Sequence, residues 1–283
     1  MKCTAVHVIT AGLLLSAAPL IQAQAPAPSR LLRIFREDIK SGKGSAHEKV
    51  EAAYVRAFSK SGYPSYVALS SMSGTSQAWF LERYDTYEAM EKAIQLGQAE
   101  PLKTTLDQLD AQDGELRSGD RGIIATYQPD MSYVPGSPLG AKARFYTINI
   151  VRVRPGHAAD FTEMRKLVNA AFAKTGTRQR RVVYSVNSGM PAGTYLILSA
   201  MDSLKALDPA PGAMSMTDAF GSDLARYNKM QSDIVVSSEM TMFTISPKMS
   251  NPPKEYLTTD ADFWAPKPKP AAAKPAAKPA SQQ

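Results

Sequence analysis

The chain repeats itself, and the repeat sets what it can fold into. Phe58-Ser59-Lys60-Ser61-Gly62 returns as Phe172-Ala173-Lys174-Thr175-Gly176, 114 positions later. Thr126 to Ser132 returns as Thr244 to Ser250, 118 positions later. Between these anchors Ser73-Gly74 matches Ser188-Gly189, Trp79 matches Tyr195 and Asp85 matches Asp202, as small loop insertions after a duplication would leave them. The period is far longer than a solenoid unit, so each copy is expected to be a small domain.

Both ends read as segments outside the fold. Lys2, an apolar run over Val8 to Leu20 and the small residues of Ala23-Gln24-Ala25 have the order of a secretory leader, expected at 1–23. The apolar run is too short to span a bilayer. Cleavage would remove Cys3, the one cysteine, leaving a chain with no disulfide to form in an oxidising compartment. This predicts an exported protein, periplasmic or secreted. From Pro266 onward the chain is almost wholly Pro, Ala and Lys, and the region 250–283 is expected to be an extended, disordered tail. Lys2 and the tail's Lys267, Lys269, Lys274 and Lys278 carry much of the formal charge, and without them it falls from +7 to +2. A body so nearly balanced argues against a nucleic-acid partner, while the tail suits contact with anionic envelope surfaces.

The first repeat is expected over 30–131 and the second over 143–249, joined by a Pro- and Gly-bearing linker at 132–142. Leu31 to Ile39 and Phe145 to Val153 have strand composition. Val50, Tyr54, Ala57 and Phe58, matched by Met164, Val168, Ala171 and Phe172, have helical spacing. Ser45 with Glu48 predicts a capping box, and Gly62 and Gly176 predict left-handed helix ends. Strand pairs about Ser73-Gly74 and Ser188-Gly189, second helices capped by Asp85 and Asp202, and final strands complete a β-α-β-β-α-β order twice. That order, with the segment Val151-Arg152-Val153-Arg154-Pro155-Gly156-His157-Ala158-Ala159-Asp160-Phe161, resembles the dimeric α/β-barrel superfamily. The resemblance implies an α+β fold: two tandem ferredoxin-like repeats packing their open sheet faces into one barrel. It carries no catalytic residue over. The superfamily includes cofactor-independent monooxygenases and haem proteins.

The residues supply thin chemistry. His47 and His157 survive leader removal, both at helix starts, and no cysteine accompanies them, so a His/Cys zinc site is excluded and no metal site is expected. Met240 and Met242 share a strand face, as a thioether metal site or plain packing would place them. Tyr66, Trp79, Tyr184 and Tyr195 in the matched strands, with Tyr54 opposite, would serve as pocket walls or as core. His157 or Arg181 is the candidate polar contact, and the second half the favoured one. The expectation is a binding protein for a small apolar or aromatic molecule, or for an envelope partner, needing no cofactor. A cofactor-independent monooxygenase-like enzyme is the alternative, and haem binding through His157 a further one.

Overall fold

The computed structural model describes residues 27–265, so the proposed leader and the Pro/Ala/Lys segment lie outside them. Each half follows the expected order. The first runs β1 (Leu31–Ile39), α1 (Gly44–Ser61), β2 (Tyr66–Ser71), β3 (Gln77–Tyr84), α2 (Tyr87–Gly97), α3 (Leu102–Gly114) and β4 (Arg117–Tyr127). The second runs β5 (Phe145–Val153), α4 (Ala158–Thr175), β6 (Val182–Ser188), β7 (Thr194–Met201), α5 (Met216–Phe220), α6 (Leu224–Ile234) and β8 (Val235–Asn251). Two short helices follow, α7 (Lys254–Thr259) and α8 (Ala261–Trp264).

The eight strands close into one antiparallel barrel in the order β1-β3-β2-β8-β5-β7-β6-β4. Each half contributes a four-stranded sheet, and two seams join them: β2 with β8, and β4 with β6. Each final strand thus borrows a partner from the other copy, which removes every sheet edge. At the β4–β6 seam the chains approach so closely that a Cβ on Gly189 would lie 1.9 Å from the Gly122 carbonyl oxygen, and Gly189 has φ of +89°. No other residue type fits there.

Side chains alternate across each strand. In β3, Trp79 and Leu81 enter the barrel with Leu32, Ile148, Leu196 and Phe243, whereas Ala78 and Phe80 pack outward beneath α1. The interior is therefore a continuous core built by both halves, each large side chain contributing about 1.5–3 kcal/mol by leaving water. Gly62 and Gly176 end α1 and α4 in the left-handed conformation, as expected. The Ser45–Glu48 capping box does not form, because α1 starts at Gly44 with Lys43 at the cap. Thr86 and Ser203, one residue beyond Asp85 and Asp202, supply the cap oxygens that follow β3 and β7.

The boundary at 250 also moves. Residues 250–265 finish β8 and form α7 and α8, whose Tyr256, Phe263 and Trp264 pack on the barrel core. Trp264 is buried and its indole N–H donates to the Ala141 carbonyl at 2.8 Å. Arg144 stacks on Phe263 and pairs with Asp260, so the linker and the C-terminal helices cap one barrel end together. Three aromatics within nine residues give this segment enough apolar area to dock; the Pro/Ala/Lys composition begins only after Ala265.

Candidate functional site

A cavity of about 490 Å³ lies in the second half, between the outer sheet face and its helices. α4 presents Phe161, Met164, Arg165, Val168 and Phe172 at three- and four-residue spacing. β5, β7 and β8 form the floor with Val151, Ile197, Val235 and Met240, and Phe220 and Tyr227 of α5 and α6 close the far side. The walls near α4 are mostly apolar, neutral polar groups such as Asn149, Ser199 and Gln231 line the rest, and Arg165 and Arg181 are the charged residues of the lining.

These arginines have few partners. Arg165 is 6% exposed. Its Nε donates to the Met131 carbonyl at 3.3 Å, and an amino group reaches Asn169 Oδ1 at 3.5 Å. Arg181 lies just before β6, with its guanidinium 3.6 Å from the Phe172 ring centroid and hydrogen bonds to Gln179. Among the described residues neither forms an ion pair with a carboxylate. Burial pushes both pKa values down to about 10, and for Arg165 the neighbouring Arg181 charge adds to the effect. Both remain cations at neutral pH. Two desolvated like charges on an apolar wall are costly unless an anion joins them.

The other sequence candidates disperse. His157 is exposed at the start of α4 and pairs with Asp160 at 2.7 Å, outside the cavity. Tyr195 lies beneath α4 against Phe161, at 4.5 Å between centroids, and belongs to the core. Trp79 and Tyr184 point the opposite way, into the barrel, because strand alternation separates them from Tyr66 and Tyr195. Trp79 tilts on Phe243, and the Tyr184 hydroxyl donates to the Ser29 carbonyl. Tyr66 packs edge-on against Phe58 and Phe80 in the first half, where the Tyr54 hydroxyl donates to Asp110. The aromatics expected as pocket walls or core thus take separate settings; of the seven candidates only Arg181 lines this cavity, while Tyr66 and Tyr184 border the other one. Met240 lines it too, 63% exposed.

A second cavity, about 630 Å³, opens at the end of the barrel beneath the linker. Arg83 projects into it, so its side chain meets solvent space while surrounded by protein. Burial opposes the Arg83 charge, but Tyr146, Tyr184 and Tyr256 outweigh it and raise its pKa; its amino group reaches the Tyr146 hydroxyl at 3.3 Å. The surroundings thus favour the Arg83 cation, whereas burial disfavours the pair under α4. Neither cavity lining contains a histidine, so His157 is placed as an axial ligand at neither.

The corresponding layer of the first half holds charge. Glu37 on β1, His47 and Glu51 on α1 and Asp113 on α3 converge beneath the helices with Arg117 of β4. His47 Nε2 lies 2.7 Å from Glu37 Oε2. Desolvation first, then the Glu37 charge, raises the pKa values of both Glu51 and Asp113. Residue spacing along the chain does not by itself single out Arg165, Glu37, Glu51 or Asp113. The signal was present for Arg165, four residues after Phe161 on the apolar face of α4, and for Glu51, four residues after His47.

No protein-family model matches the sequence, and no curated protein does. Solved structures do match. An anthrone oxidase-like protein superposes with a TM-score of 0.52 at 14% identity, covering 77% of this chain and 92% of its own. A candidate monooxygenase from Fusobacterium nucleatum gives 0.50 at 11%, covering 77% and 93%. The fold is that of the dimeric α/β barrels. A chlorite dismutase from Candidatus Nitrospira defluvii reaches only 0.48 at 10%, covering 82% of this chain and 95% of its own, too distant to argue from. Among the described residues no helix is long and apolar enough to cross a membrane.

Proposed function

We propose that this chain binds a small apolar or aromatic molecule bearing a carboxylate or phenolate, in the cavity under α4. The observation that carries the reading is the couple Arg165 and Arg181, the charged residues of a largely apolar lining, with no carboxylate paired to either among the described residues. An apolar body fills the floor of Val151, Ile197 and Val235, and the anion meets the two guanidiniums in a low-dielectric setting where charge-assisted hydrogen bonds are strong. No carboxylate or imidazole lines the cavity, so the chain brings no general base of the usual kind to the ligand. That favours binding without catalysis.

The same two cations support a second reading, an oxygenase-like role. Paired guanidiniums lower the pKa of a bound phenol or enol, and the resulting electron-rich anion is the species that dioxygen oxidises. The protein would then supply confinement and ionisation, with no redox group of its own. The names of the anthrone oxidase-like and monooxygenase neighbours fit this reading.

Thermal-shift and calorimetric titration with benzoate, 2-naphthoate and a hydroxyanthracenone tests both. Binding of the anions, with at least tenfold loss in Arg165→Met and in Arg181→Met, supports the site. Equal affinity in parent and variants overturns it. Oxygen uptake with the hydroxyanthracenone, absent in Arg165→Met, selects the enzyme. The reading includes export, supported by the lysine-led apolar segment. Mass spectrometry of protein from its native host is then expected to find Gln24 or Pro26 first.

A further inference from the structure

We propose that Glu37, His47, Glu51 and Asp113 bind one divalent transition cation in the helix–sheet layer of the first half. Each residue offers one ligand atom, and the four atoms lie within 4.8 Å of one another. A first-row cation with bonds of about 2.0–2.2 Å holds its ligands about 3–4.4 Å apart, so the cluster is already close to coordination distance. From His47 Nε2 the ligand oxygens stand at 2.7 Å for Glu37, 3.7 Å for Asp113 and 3.9 Å for Glu51.

The hydrogen bonding leaves a place for the ion. Asp113 is 1% exposed, and its Oδ1, aimed at the cluster, has no hydrogen-bond partner. Glu51 is 5% exposed, and its Oε1 lies 3.9 Å from His47 Nε2, beyond hydrogen-bond range. Buried carboxylate oxygens without a donor are rare, and an absent ion is one of the few causes. Arg117 completes the pattern. Its Nη1 donates to Glu37 Oε1 at 3.0 Å, and its Nε lies 2.7 Å from Asp113 Oδ2 as an ion-pair contact outside hydrogen-bond geometry, so it pairs with the second oxygen of each carboxylate and leaves the first facing His47. This is how an outer residue orients metal ligands.

Charge points the same way. As metal ligands the three carboxylates and the imidazole would be deprotonated, and with the Arg117 cation they would leave two negative charges for a divalent ion to neutralise. Three carboxylate oxygens with one imidazole nitrogen and no sulfur suit manganese, iron(II), cobalt or zinc better than a soft monovalent metal. β1, α1 and α3 fix the ligands on regular elements, and Arg117 links the buried cluster to the exposed Asp120.

The test uses the full chain, stripped with a chelator and then titrated separately with Co²⁺, Zn²⁺ and Mn²⁺. The expected result is one equivalent bound, visible d–d bands with Co²⁺, and a Tm that rises with metal concentration. Glu51→Gln preserves volume and breaks no hydrogen bond, so it folds, and it is expected to weaken binding at least tenfold. Arg117→Met is expected to weaken it 10- to 100-fold. His157→Ala leaves it unchanged. No bound metal and no Tm change would establish a self-contained ion-pair network and overturn the site. So would stoichiometric binding that Glu51→Gln leaves intact.

Discussion

The two helix–sheet layers occupy equivalent places in the duplication and have become opposites. Glu37 and His47 of the first half correspond to Val151 and Phe161, and Glu51 to Arg165, each 114 positions on. Asp113 and Arg117 correspond to Gln231 and Val235, 118 positions on. Strand pairing supports the alignment, because Arg117 faces Ile39 where Val235 faces Val153. All five second-half counterparts line the 490 Å³ cavity. The first layer gathers three carboxylates about a histidine, and the second gathers apolar walls about two arginines. Two copies of one architecture thus offer sites of opposite sign, because the barrel fixes the backbone and leaves the side chains of this layer free to diverge.

The comparison can be broken by substitution. Phe161→Ala is expected to cost about 3–5 kcal/mol in urea denaturation, since the ring is fully buried against Tyr195; a loss under about 1 kcal/mol would mean that the second layer is already loosely packed. Arg165→Met is expected to stabilise the ligand-free protein by about 1–3 kcal/mol, because it replaces an unpaired buried cation by an apolar chain of similar reach. Destabilisation would show that Arg165 is structurally satisfied.

Glu51→Gln examines the opposite layer in metal-free protein. Burial, then the Glu37 charge, holds the Glu51 carboxyl well above its usual value of 4.5. A proton bound more tightly by the folded state stabilises it below about 4.5, and this contribution is lost as pH rises through the folded value. The variant lacks that loss, so its stability relative to the parent is expected to rise, by on the order of 1 kcal/mol, between pH 4.5 and 8. An unchanged difference across that range would mean that the carboxyl is solvated. The smallest effect is expected for His157→Ala, within about 0.5 kcal/mol and with no change in ligand affinity, since that side chain reaches only Asp160 at the surface.

Much of the fold was legible because its signals are local. β1 and β5 appear at the residues expected, Gly62 and Gly176 end their helices left-handed, and the doubled β-α-β-β-α-β order leads to the barrel. The site was less legible because it depends on which way side chains face across elements distant in sequence. For Tyr66, Trp79, Tyr184 and Tyr195 the sequence left pocket wall and core open; their strand positions send two into the barrel and two beneath the helices. His157 drew notice as a histidine at a turn, yet the buried histidine is His47, whose carboxylate neighbours come from β1 and α3, 10 residues before it and 66 after. Arg181 was a candidate polar contact from the sequence, but its companion Arg165 lies on α4 and shows its role only once the two share a cavity.

The sequence by itself determined two copies of one unit, the order of elements within each, and a C-terminal composition that cannot build a core after Ala265. Those features follow from periodicity and backbone preference, which act over a few residues. Only the tertiary structure decided that β4 and β8 cross to the other half's sheet, that Trp264 closes the barrel end, and that like charges meet in one layer and opposite charges in the other. Such outcomes depend on contacts between residues far apart in the chain, where burial sets the cost of every unpaired charge.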